Sequence, residues 1–580
     1  MVSGGQTQVR STREEIAQRE IGQTDISRGL AWLMTVAFLL TLCVPPTVQL
    51  AYDLAPGKER HAGGSCPSCG EIVCTLPTVA QAFRRAEGGF GSRLVSANRQ
   101  LLRNIDEHEK QLEDRSLLTL HLLGPIQEWL TRVGGLGNER AYVGNDGWLF
   151  YRPEVEYLTG PGFLEPAILS RRERKGLEHT APPQPDPRLA VLEFHEQLAE
   201  RGIRLILMPT PGKPMIHPEK LSSRFDPSEG ALQNRSFEQF KHELQTAGVL
   251  VFDPAPWLAG RKGDSGDSAQ FLRTDSHWTP AGMQLVAERL QEFIERQAPL
   301  PPQAAVEFRS RSLVVGNLGD IAAMLHLPRQ QTLFPSETVT IRQIVQPNGQ
   351  AWQPDESADI LLLGDSFTNI YSLPEMNWGS AAGLAEQLSF LMRRPIDRLS
   401  QNDGGSHAVR QSLFQELARG NNRLAGKRVV IWQFAARELA VGDWKRFPMP
   451  QAPPDRQNPT QPPASVNAGE LLVRGTVRSA AGSPQPGTVP YRDAVTGVHL
   501  VGVEVLHGSL ATSELVVYLW GMRDNRLTSA ARFSAGQNVT LRLTPWDSVR
   551  ERYDRFSRVE LDDPDFQLID LPTYWAEVLP

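Results

Sequence analysis

The chain has 580 residues, of which 22% are charged, and a formal net charge of −6. This length exceeds that of one ordinary domain, so we expect two or three folded units. The mildly acidic balance argues against a nucleic-acid-binding protein, which would carry a basic face. Four cysteines in a chain of this length are too few for a disulfide scaffold.

An uncharged apolar run near the N-terminus predicts a membrane anchor. It extends from Gly29 to Val44 and continues without a charge to Tyr52, which is about the ~20 residues that a helix needs to cross a bilayer. We expect a cytoplasmic tail over 1–28 and a transmembrane helix over 29–51, broken near its far end by Pro45-Pro46. Arginines close before the span place the rest of the chain outside the cytoplasm. A cleavable signal peptide is the alternative, although no Ala-x-Ala site follows.

Residues 52–135 are predicted to form an exported loop and a helical stalk. The loop contains Cys66, Cys69 and Cys74. These thiols fit either one disulfide with a spare thiol or part of a metal site, for which only His61 lies nearby as a fourth ligand. From residue 80 to 134 the apolar positions recur at helical spacing.

Residues 136–447 alternate short apolar runs with helical segments, a pattern that is typical of an α/β domain with a parallel sheet. Strands are predicted at 205–208, 249–252, 360–363, 396–399 and 429–432. Helices are predicted at 189–201, 235–247, 281–297, 379–393 and 407–419. Residues 302–357 interrupt this rhythm and are interpreted as an inserted, partly β substructure.

A proline-rich linker is predicted over 448–467, followed by a β-rich C-terminal domain over 468–580. Its five or so strands favour a small all-β domain, with an OB-like barrel as the first hypothesis. Trp520, Trp546 and Trp575 could stack on sugars, but tryptophans of a small barrel more often lie in its core.

A candidate nucleophile follows the apolar run at 360–363. The strand leads into Gly364-Asp365-Ser366-Phe367, so the Ser366 hydroxyl is expected at the carboxyl end of a parallel strand, where α/β sheets carry their sites. Backbone N–H groups beside it could hold an oxyanion. The triplet alone also fits a simple turn with a helix N-cap.

A candidate base and its orienting carboxylate occur upstream, in the segment Thr274 to Pro280 that precedes a helix. A serine needs a base to lose its proton, and an imidazole held by a carboxylate supplies one. Asp275 and His277 converge if the backbone turns between them and Ser276 points away. The alternative is a helix cap with a surface histidine.

These motifs resemble the SGNH hydrolase superfamily, although the serine block usually comes first in the chain and here comes last. The reversed order is similar to that of the alginate O-acetyltransferase family (AlgX/AlgJ type), and the resemblance covers about 140 to 445. The further segments that carry it are 143–151 (VGNDGWLFY), 209–218 (PTPGKPMIHP) and Asp253 after its strand. The fold expected is a flavodoxin-like, SGNH hydrolase-like parallel sheet with permuted strand order.

The resemblance implies acetyl transfer to a secreted polysaccharide, with a membrane-bound O-acyltransferase as acetyl donor. No cofactor or metal ion is expected. Ser366 would carry the acetyl ester, His277 would shuttle its proton, and Asp275 would orient His277. The chain would be a single-pass protein of a bacterial inner membrane with its catalytic domain in the periplasm. An acetyl-esterase with the same triad and a non-catalytic glycan-binding assembly protein remain alternatives.

One part of the expected site departs from the superfamily. The asparagine that usually completes the oxyanion hole would fall at 433–438, where none occurs. Gly404 and Gly405, which could equally be a turn, and Arg437, which could equally form a structural ion pair, are the substitutes considered. Lys213 and His217 are candidate lining residues of a substrate groove, with a structural role favoured for His217 because it precedes Pro218.

Overall fold

The computed structural model describes most of the chain, and several predictions fall outside the described part. The described residues are 27–53, 75–86, 88–115, 119–174, 183–226, 228, 230–262, 269–402, 404–449, 471–486, 489, 491–510, 512–553, 556–561, 563, 568 and 571–579. The tail over 1–26, the three cysteines at 66, 69 and 74, and most of the proline-rich linker therefore lie outside it. Two compact units are present, residues 1–124 and 125–580.

The first unit contains a long apolar helix, α1 (Arg28–Asp53). Residues 28–51 of this helix are long and apolar enough to cross a membrane, a property that an N-terminal signal sequence shares. The predicted break at Pro45-Pro46 is wrong, because the helix continues through both positions. Two prolines remove two N–H donors, so two carbonyl oxygens of the preceding turn lose their partners. A helix can continue through such positions where other donors satisfy those oxygens.

The predicted stalk is helical. The first unit continues with α2 (Leu76–Arg85), α3 (Phe90–Arg115) and a π-helical turn at Thr119–Leu123. Asn104 of α3 donates hydrogen bonds to the Thr78 hydroxyl at 3.1 Å and to the Thr75 carbonyl at 3.4 Å, which holds α3 against the start of α2.

The second unit begins with an α/β part. Its strands are β1 (Ala141–Val143), β2 (Leu149–Tyr151), β3 (Arg204–Thr210), β4 (Leu250–Val251), β5 (Arg309–Asn317), β6 (Glu337–Val345), β7 (Ile360–Gly364), β8 (Asp397–Ser400) and β9 (Val429–Ala435). Its helices are α4 (Gly124–Gly134), α5 (Arg152–Thr159), α6 (Pro166–Glu173), α7 (Pro187–Ala199), α8 (Lys213–Ile216), α9 (Pro218–Leu221), α10 (Phe237–Thr246), α11 (Ala255–Arg261), α12 (Pro280–Gln297), α13 (Asp320–Met324), α14 (Ser366–Asn369), α15 (Leu384–Met392), α16 (Ala408–Ala418) and α17 (Glu438–Val441).

A five-stranded parallel sheet forms the centre of this part, in the order β4-β3-β9-β7-β8. Every predicted strand and helix is confirmed, with small shifts at the ends; the largest is at α15, which begins at Leu384 rather than at 379. The three middle strands are buried almost throughout, as expected for a parallel sheet covered by helices on both faces. Their carboxyl ends meet at one edge, where the candidate nucleophile lies.

The predicted insertion is confirmed as partly β. Residues 309–345 form an antiparallel hairpin of β5 and β6, and the connection between the two strands contains the short helix α13. We call residues 309–345 the hairpin insertion.

The C-terminal part is a β-barrel. Its elements are β10 (Leu471–Ala480), β11 (Ala494–His507), β12 (Glu514–Arg523), β13 (Arg526–Leu527), β14 (Asn538–Pro545), α18 (Trp546–Tyr553), β15 (Ser557–Val559) and β16 (Thr573–Val578). Five strands pair in the closed ring β12-β16-β14-β10-β11-β12. Trp546 and Trp575 are buried and Trp520 packs edge-on against Trp575 at 5.4 Å, so the core alternative for these tryptophans is the one observed.

Candidate active site

Ser366 lies at the carboxyl end of β7, as the sequence predicts. A side chain at Gly364 would place its Cβ 2.2 Å from the Thr368 hydroxyl oxygen, so only glycine permits this turn. Asp365 caps the helix that follows, because its carboxylate accepts a hydrogen bond from the Phe367 N–H at 2.9 Å. Ser366 is the first residue of α14, and its N–H therefore has no acceptor within the helix.

Gln433 has a structural role. It lies at the start of the segment where the superfamily's asparagine is missing. Its amide oxygen accepts from the Asp365 N–H at 3.0 Å and from the Thr368 hydroxyl at 2.8 Å. Its amide nitrogen donates to the Thr210 hydroxyl at 3.0 Å and to the Asp365 carboxylate at 2.8 Å. Both ends of the side chain are thus used to fix the turn before Ser366.

The segment that carries Asp275 and His277 folds back on itself. Phe271 and Trp278 form an isolated antiparallel bridge, and the Leu272 N–H donates to the His277 carbonyl at 3.0 Å. Within this loop the His277 N–H donates to Asp275 at 3.1 Å. The two side chains therefore converge, as the sequence interpretation requires.

Asp275, His277 and Ser366 form one hydrogen-bonded chain. The distance from His277 Nε2 to Ser366 Oγ is 2.8 Å, and that from His277 Nδ1 to Asp275 Oδ1 is 2.7 Å. Asp275 and His277 are each 1% exposed and Ser366 is 6% exposed. The Phe367 ring, centred 4.8 Å from the imidazole, packs against it.

The second oxygen of Asp275 is also occupied. It accepts from the Trp378 indole N–H at 2.9 Å and from the Asp320 N–H at 3.1 Å. Burial raises the pKa of Asp275, but the hydrogen bond and charge of His277 and the Trp378 N–H outweigh it and lower the pKa to about 2. Asp275 is therefore ionised at any physiological pH.

The charges around His277 favour its protonated form. Burial alone lowers the pKa of His277, but the hydrogen bond and charge of Asp275 and the charges of Asp320 and Asp365 raise it above the ordinary value of 6.5. The site is therefore electrostatically suited to an imidazole that takes up a proton.

Asp320, which the sequence interpretation missed, is part of the same cluster. Its carboxylate accepts from the Ser276 N–H at 2.6 Å and from the Ser276 hydroxyl at 2.5 Å. Burial and the charge of Asp275 raise the pKa of Asp320 to about 6. No local motif points to it, because it belongs to the hairpin insertion and reaches the site only through the fold.

Asp275, His277 and Asp320 have the ligand types of a metal site. In the part of the chain that the structure describes, they are the one group of this kind, with ligand atoms within 4.8 Å of one another. Each carboxylate and the Nδ1 atom of His277 already take part in hydrogen bonds within the cluster. Hydrogen bonding therefore accounts for their close approach.

The groove prediction for Lys213 is wrong. Lys213 is fully buried, and its ammonium donates to the carbonyls of Leu149 at 2.7 Å and Arg273 at 3.0 Å. Burial lowers its pKa to about 8. The side chain links β2 to the loop that carries Asp275. The two buried carbonyls need hydrogen-bond donors, and the Lys213 ammonium supplies them.

Arg437 forms the ion pair that the sequence analysis considered as an alternative. Its guanidinium lies 3.1 Å from the buried carboxylate of Glu154. Burial lowers the pKa of Arg437, but the charges of Glu154 and Glu438 outweigh it and raise the pKa. His217 is likewise buried and structural, since its Nε2 accepts from the Gln270 N–H at 3.2 Å.

Gly404 and Gly405 form a turn, with φ values of +89° and +65°. The turn lies close in sequence to Asn402, whose side chain accepts a hydrogen bond from Asn369 of α14 at 2.7 Å. The loop is thus tethered near the helix that begins at Ser366, and both glycines are exposed.

A cavity of about 630 Å³ lies between the hairpin insertion and the barrel. Asp275 and Asp320 border it on one side, and on the other it is bordered by residues of the barrel. Its arginines are Arg329, Arg492, Arg523 and Arg526. Arg492 lies 3.9 Å from Asp524 and Arg523 lies 3.8 Å from Asp493, whereas Arg329 and Arg526 have no ion pair with another described residue.

Comparisons with known proteins show which family the chain resembles. Residues 141–436 match the family described as "SGNH hydrolase-like domain, acetyltransferase AlgX". The chain is similar to a probable alginate O-acetylase AlgJ of Pseudomonas aeruginosa, with 29% identity over 53% of this chain and 72% of the relative. A probable alginate O-acetylase AlgJ of Pseudomonas syringae is 26% identical over 43% of this chain, and that match spans 62% of the relative's length.

Two solved structures are also similar. The O-acetyltransferase domain of Pseudomonas putida AlgJ is 20% identical, with a TM-score of 0.38, over 52% of this chain and 92% of that domain. Pseudomonas aeruginosa AlgX is 15% identical, with a TM-score of 0.35, over 69% of this chain and 89% of its own.

Proposed function

The chain belongs to the family of SGNH hydrolase-like acetyltransferases of the AlgX type, and from this premise we propose that it transfers acetyl groups onto hydroxyls of a secreted or cell-surface polysaccharide. The acetyl group passes through an ester on Ser366. The observation that carries the proposal is the hydrogen-bonded chain from Ser366 through His277 to Asp275, with distances of 2.8 and 2.7 Å. This is the arrangement that a serine nucleophile requires.

In the first half-reaction Ser366 Oγ attacks the carbonyl carbon of the acetyl donor. Its proton moves to His277 Nε2, while the Nδ1–H of the imidazole keeps its hydrogen bond to Asp275. The tetrahedral intermediate collapses when the bond to the donor oxygen breaks, and that oxygen takes the proton from His277. The products are the acetyl ester of Ser366 and the free donor alcohol.

In the second half-reaction a sugar hydroxyl takes the place of the donor. His277 Nε2 accepts the hydroxyl proton, and the sugar oxygen attacks the acetyl carbon. The Ser366 Oγ–C bond then breaks, and Ser366 recovers its proton from His277. Both half-reactions need His277 neutral at the start and protonated at the transition state, which the negative charge of Asp275 stabilises.

We propose that backbone N–H groups donate hydrogen bonds to the oxyanion. The Ser366 N–H is unused by its helix and lies beside the reacting carbon. The turn at Gly404 and Gly405 is the proposed source of a second N–H, supported by the hydrogen bond that joins Asn402 to Asn369. Preorganised N–H groups of this kind stabilise the charge of a tetrahedral intermediate.

The acceptor is proposed to be a polysaccharide with acidic groups. The cavity beside Asp275 is lined by arginines on the barrel side, and Arg329 and Arg526 have no carboxylate partner among the described residues. Guanidinium groups bind carboxylates through bidentate hydrogen bonds. The relatives carry the printed name alginate O-acetylase, which agrees with a polysaccharide acceptor.

We also propose the strand order, the domain bounds and the cellular location of the chain. The strand that carries Ser366 follows the loop that carries His277 in the chain, and we interpret this as a permuted, flavodoxin-like SGNH order. We interpret the closed five-stranded barrel as OB-like. The acetyltransferase domain is assigned to 136–447 and the C-terminal domain to 468–580. With α1 as a single-pass anchor of a bacterial inner membrane, the site faces the periplasm and receives acetyl groups from a membrane-bound O-acyltransferase.

A direct test uses the full-length chain in detergent with an acetyl-ester reporter and an acidic oligosaccharide. We expect mass spectrometry to detect acetylated oligosaccharide with the wild type and none with Ser366→Ala. Ser389→Ala is the matched control, since Ser389 is a buried serine of α15 that donates only to the Arg394 carbonyl, and it should retain activity. Acetate release without acetylated sugar would favour the esterase, and activity in Ser366→Ala would contradict the mechanism.

A further inference from the structure

The hairpin insertion holds the loop that carries Asp275 and His277. Glu337 of β6 accepts hydrogen bonds from the Thr274 N–H at 2.8 Å, the Thr274 hydroxyl at 2.7 Å and the Arg273 N–H at 3.0 Å. The Ala322 N–H donates to the Thr274 carbonyl at 3.1 Å. A Cβ at Gly319 would lie 2.5 Å from the Thr274 carbonyl carbon, so the two backbones approach as closely as glycine allows.

Asp320 continues this contact into the triad itself. It accepts from both the N–H and the hydroxyl of Ser276, the residue between Asp275 and His277. Its own N–H donates to Asp275 at 3.1 Å, and its carboxylate lies 3.7 Å from His277 Nδ1. Every member of the Asp275-Ser276-His277 segment is therefore in contact with Asp320 or close to it.

We propose that Asp320 is a positioning residue of the active site, which fixes Ser276 so that Asp275 and His277 face Ser366 and adds a second negative charge beside the imidazole. This inference rests on the proposed function. Without the Ser276 anchor, the short turn between Asp275 and His277 can rotate, and the 2.8 Å contact to Ser366 is held less often. The role is therefore in the orientation and charge of His277 and not in contact with substrate.

The charge of Asp320 acts on His277 from a defined side. Asp275 and Asp365 are the other carboxylates that raise the pKa of His277. The titratable and charged groups around Asp320 fall into three sets. Asp275 and His277 belong to the loop, and buried Lys213, Glu154 and Tyr151 belong to neighbouring elements. The third set lines the cavity and consists of Arg329, Arg492, Arg523, Asp524 and Arg526. Of the carboxylates, Asp275 and Asp320 lie nearest to Nδ1, at 2.7 and 3.7 Å.

The test compares variants of the full-length chain with an acetyl-ester reporter. Asp320→Asn keeps the shape of the side chain and removes its charge, so kcat should fall only a few-fold. The acid limb of its pH–rate profile should move down by about one pH unit, because an opposite charge within ~4 Å raises an imidazole pKa by that order. Asp320→Ala removes both hydrogen bonds of the anchor, whereas Ser276→Ala removes only the one from the hydroxyl. We expect kcat to fall about tenfold or more in Asp320→Ala and by a smaller factor, still more than about twofold, in Ser276→Ala, with KM within about twofold.

Glu337→Gln is the matched control. It weakens the hold on the same loop without touching Asp275, Ser276 or His277, so it should lower Tm but leave the acid limb in place. If Asp320→Ala does not fold, Ser276→Ala tests the hydroxyl half of the anchor. The inference is overturned if Asp320→Asn has the wild-type pH profile, or if Ser276→Ala and a folded Asp320→Ala keep kcat within twofold of the wild type.

A titration that needs no turnover separates this inference from the proposed function. The full-length chain is labelled with ¹³C at histidine Cε1, and the His277 signal is assigned by its loss in His277→Gln. The His277 pKa should be lower in Asp320→Asn than in the wild type and unchanged in Glu337→Gln. If no acetyl chemistry is found, the proposed function fails, and this titration alone decides whether Asp320 acts on His277; equal pKa values in Asp320→Asn and the wild type would refute it.

Discussion

Replacing Asp275 by asparagine is expected to disable the site through the tautomer of His277. Each oxygen of Asp275 accepts two hydrogen bonds, one pair from the N–H and Nδ1–H of His277 and the other from Trp378 and the Asp320 N–H. An amide has one acceptor oxygen, so its NH₂ group must face one of these pairs. Facing Trp378 and Asp320 it leaves two buried donors unpaired, whereas facing His277 it leaves one, because Nδ1 can lose its proton and accept.

The favoured arrangement of Asp275→Asn therefore holds His277 in the wrong tautomer, with its proton on Nε2. Nε2 can then no longer take the proton of Ser366. In serine proteases the same change lowers kcat by about 10⁴, and we expect a loss of about 10³ to 10⁴ here. The remaining unpaired donor should lower the free energy of unfolding by about 1–3 kcal/mol.

The assay is kcat for hydrolysis of an acetyl-ester reporter, with Tm measured on the same samples. Trp378→Phe is the control, because it removes one donor to Asp275 and keeps the charge. It should lower kcat by about tenfold, the equivalent of one charge-assisted hydrogen bond. A folded Asp275→Asn with kcat within tenfold of the wild type would refute the tautomer argument.

Further outcomes follow from the same geometry. The acid limb of the wild-type pH–rate profile should lie above pH 6.5, because the charges around His277 raise its pKa and only the neutral imidazole accepts a proton; a limb below pH 6 would contradict this. Arg437→Met should lower the free energy of unfolding in urea by about 3–5 kcal/mol, since it leaves buried Glu154 unpaired, and an unchanged unfolding midpoint would count against the ion pair. Arg329→Ala combined with Arg526→Ala should raise KM for an acidic oligosaccharide about tenfold without changing reporter hydrolysis, and an unchanged KM would exclude the cavity as the acceptor site.

The sheet could be predicted from the sequence because buried parallel strands are short apolar runs between helical segments. The run at 360–363 and the turn that follows it are local patterns, and they placed Ser366 correctly at the end of β7. Asp275 and His277 were identifiable for the same reason, since they are two residues apart and need only one turn to converge.

The missed and misplaced residues depend on contacts between distant segments. Asp320 lies 45 residues from Asp275 and reaches it only because the hairpin insertion folds over the loop, which no pattern around Asp320 announces. Lys213 was expected on a groove, but two backbone carbonyls from different segments bind its buried ammonium. The rule that proline ends a helix failed at Pro45-Pro46, where the apolar helix α1 continues.

The central claim is that Ser366 carries the acetyl group, and peptide mass spectrometry after rapid acid quenching tests it most directly. The full-length chain is mixed with an acetyl-ester donor, quenched and digested. The account predicts an acetyl group on the peptide that contains Ser366, formed by the wild type and Ser389→Ala and absent from Ser366→Ala and His277→Gln. Continued acetyl turnover by Ser366→Ala, or an acetyl group at another residue that passes to the acceptor, would contradict it.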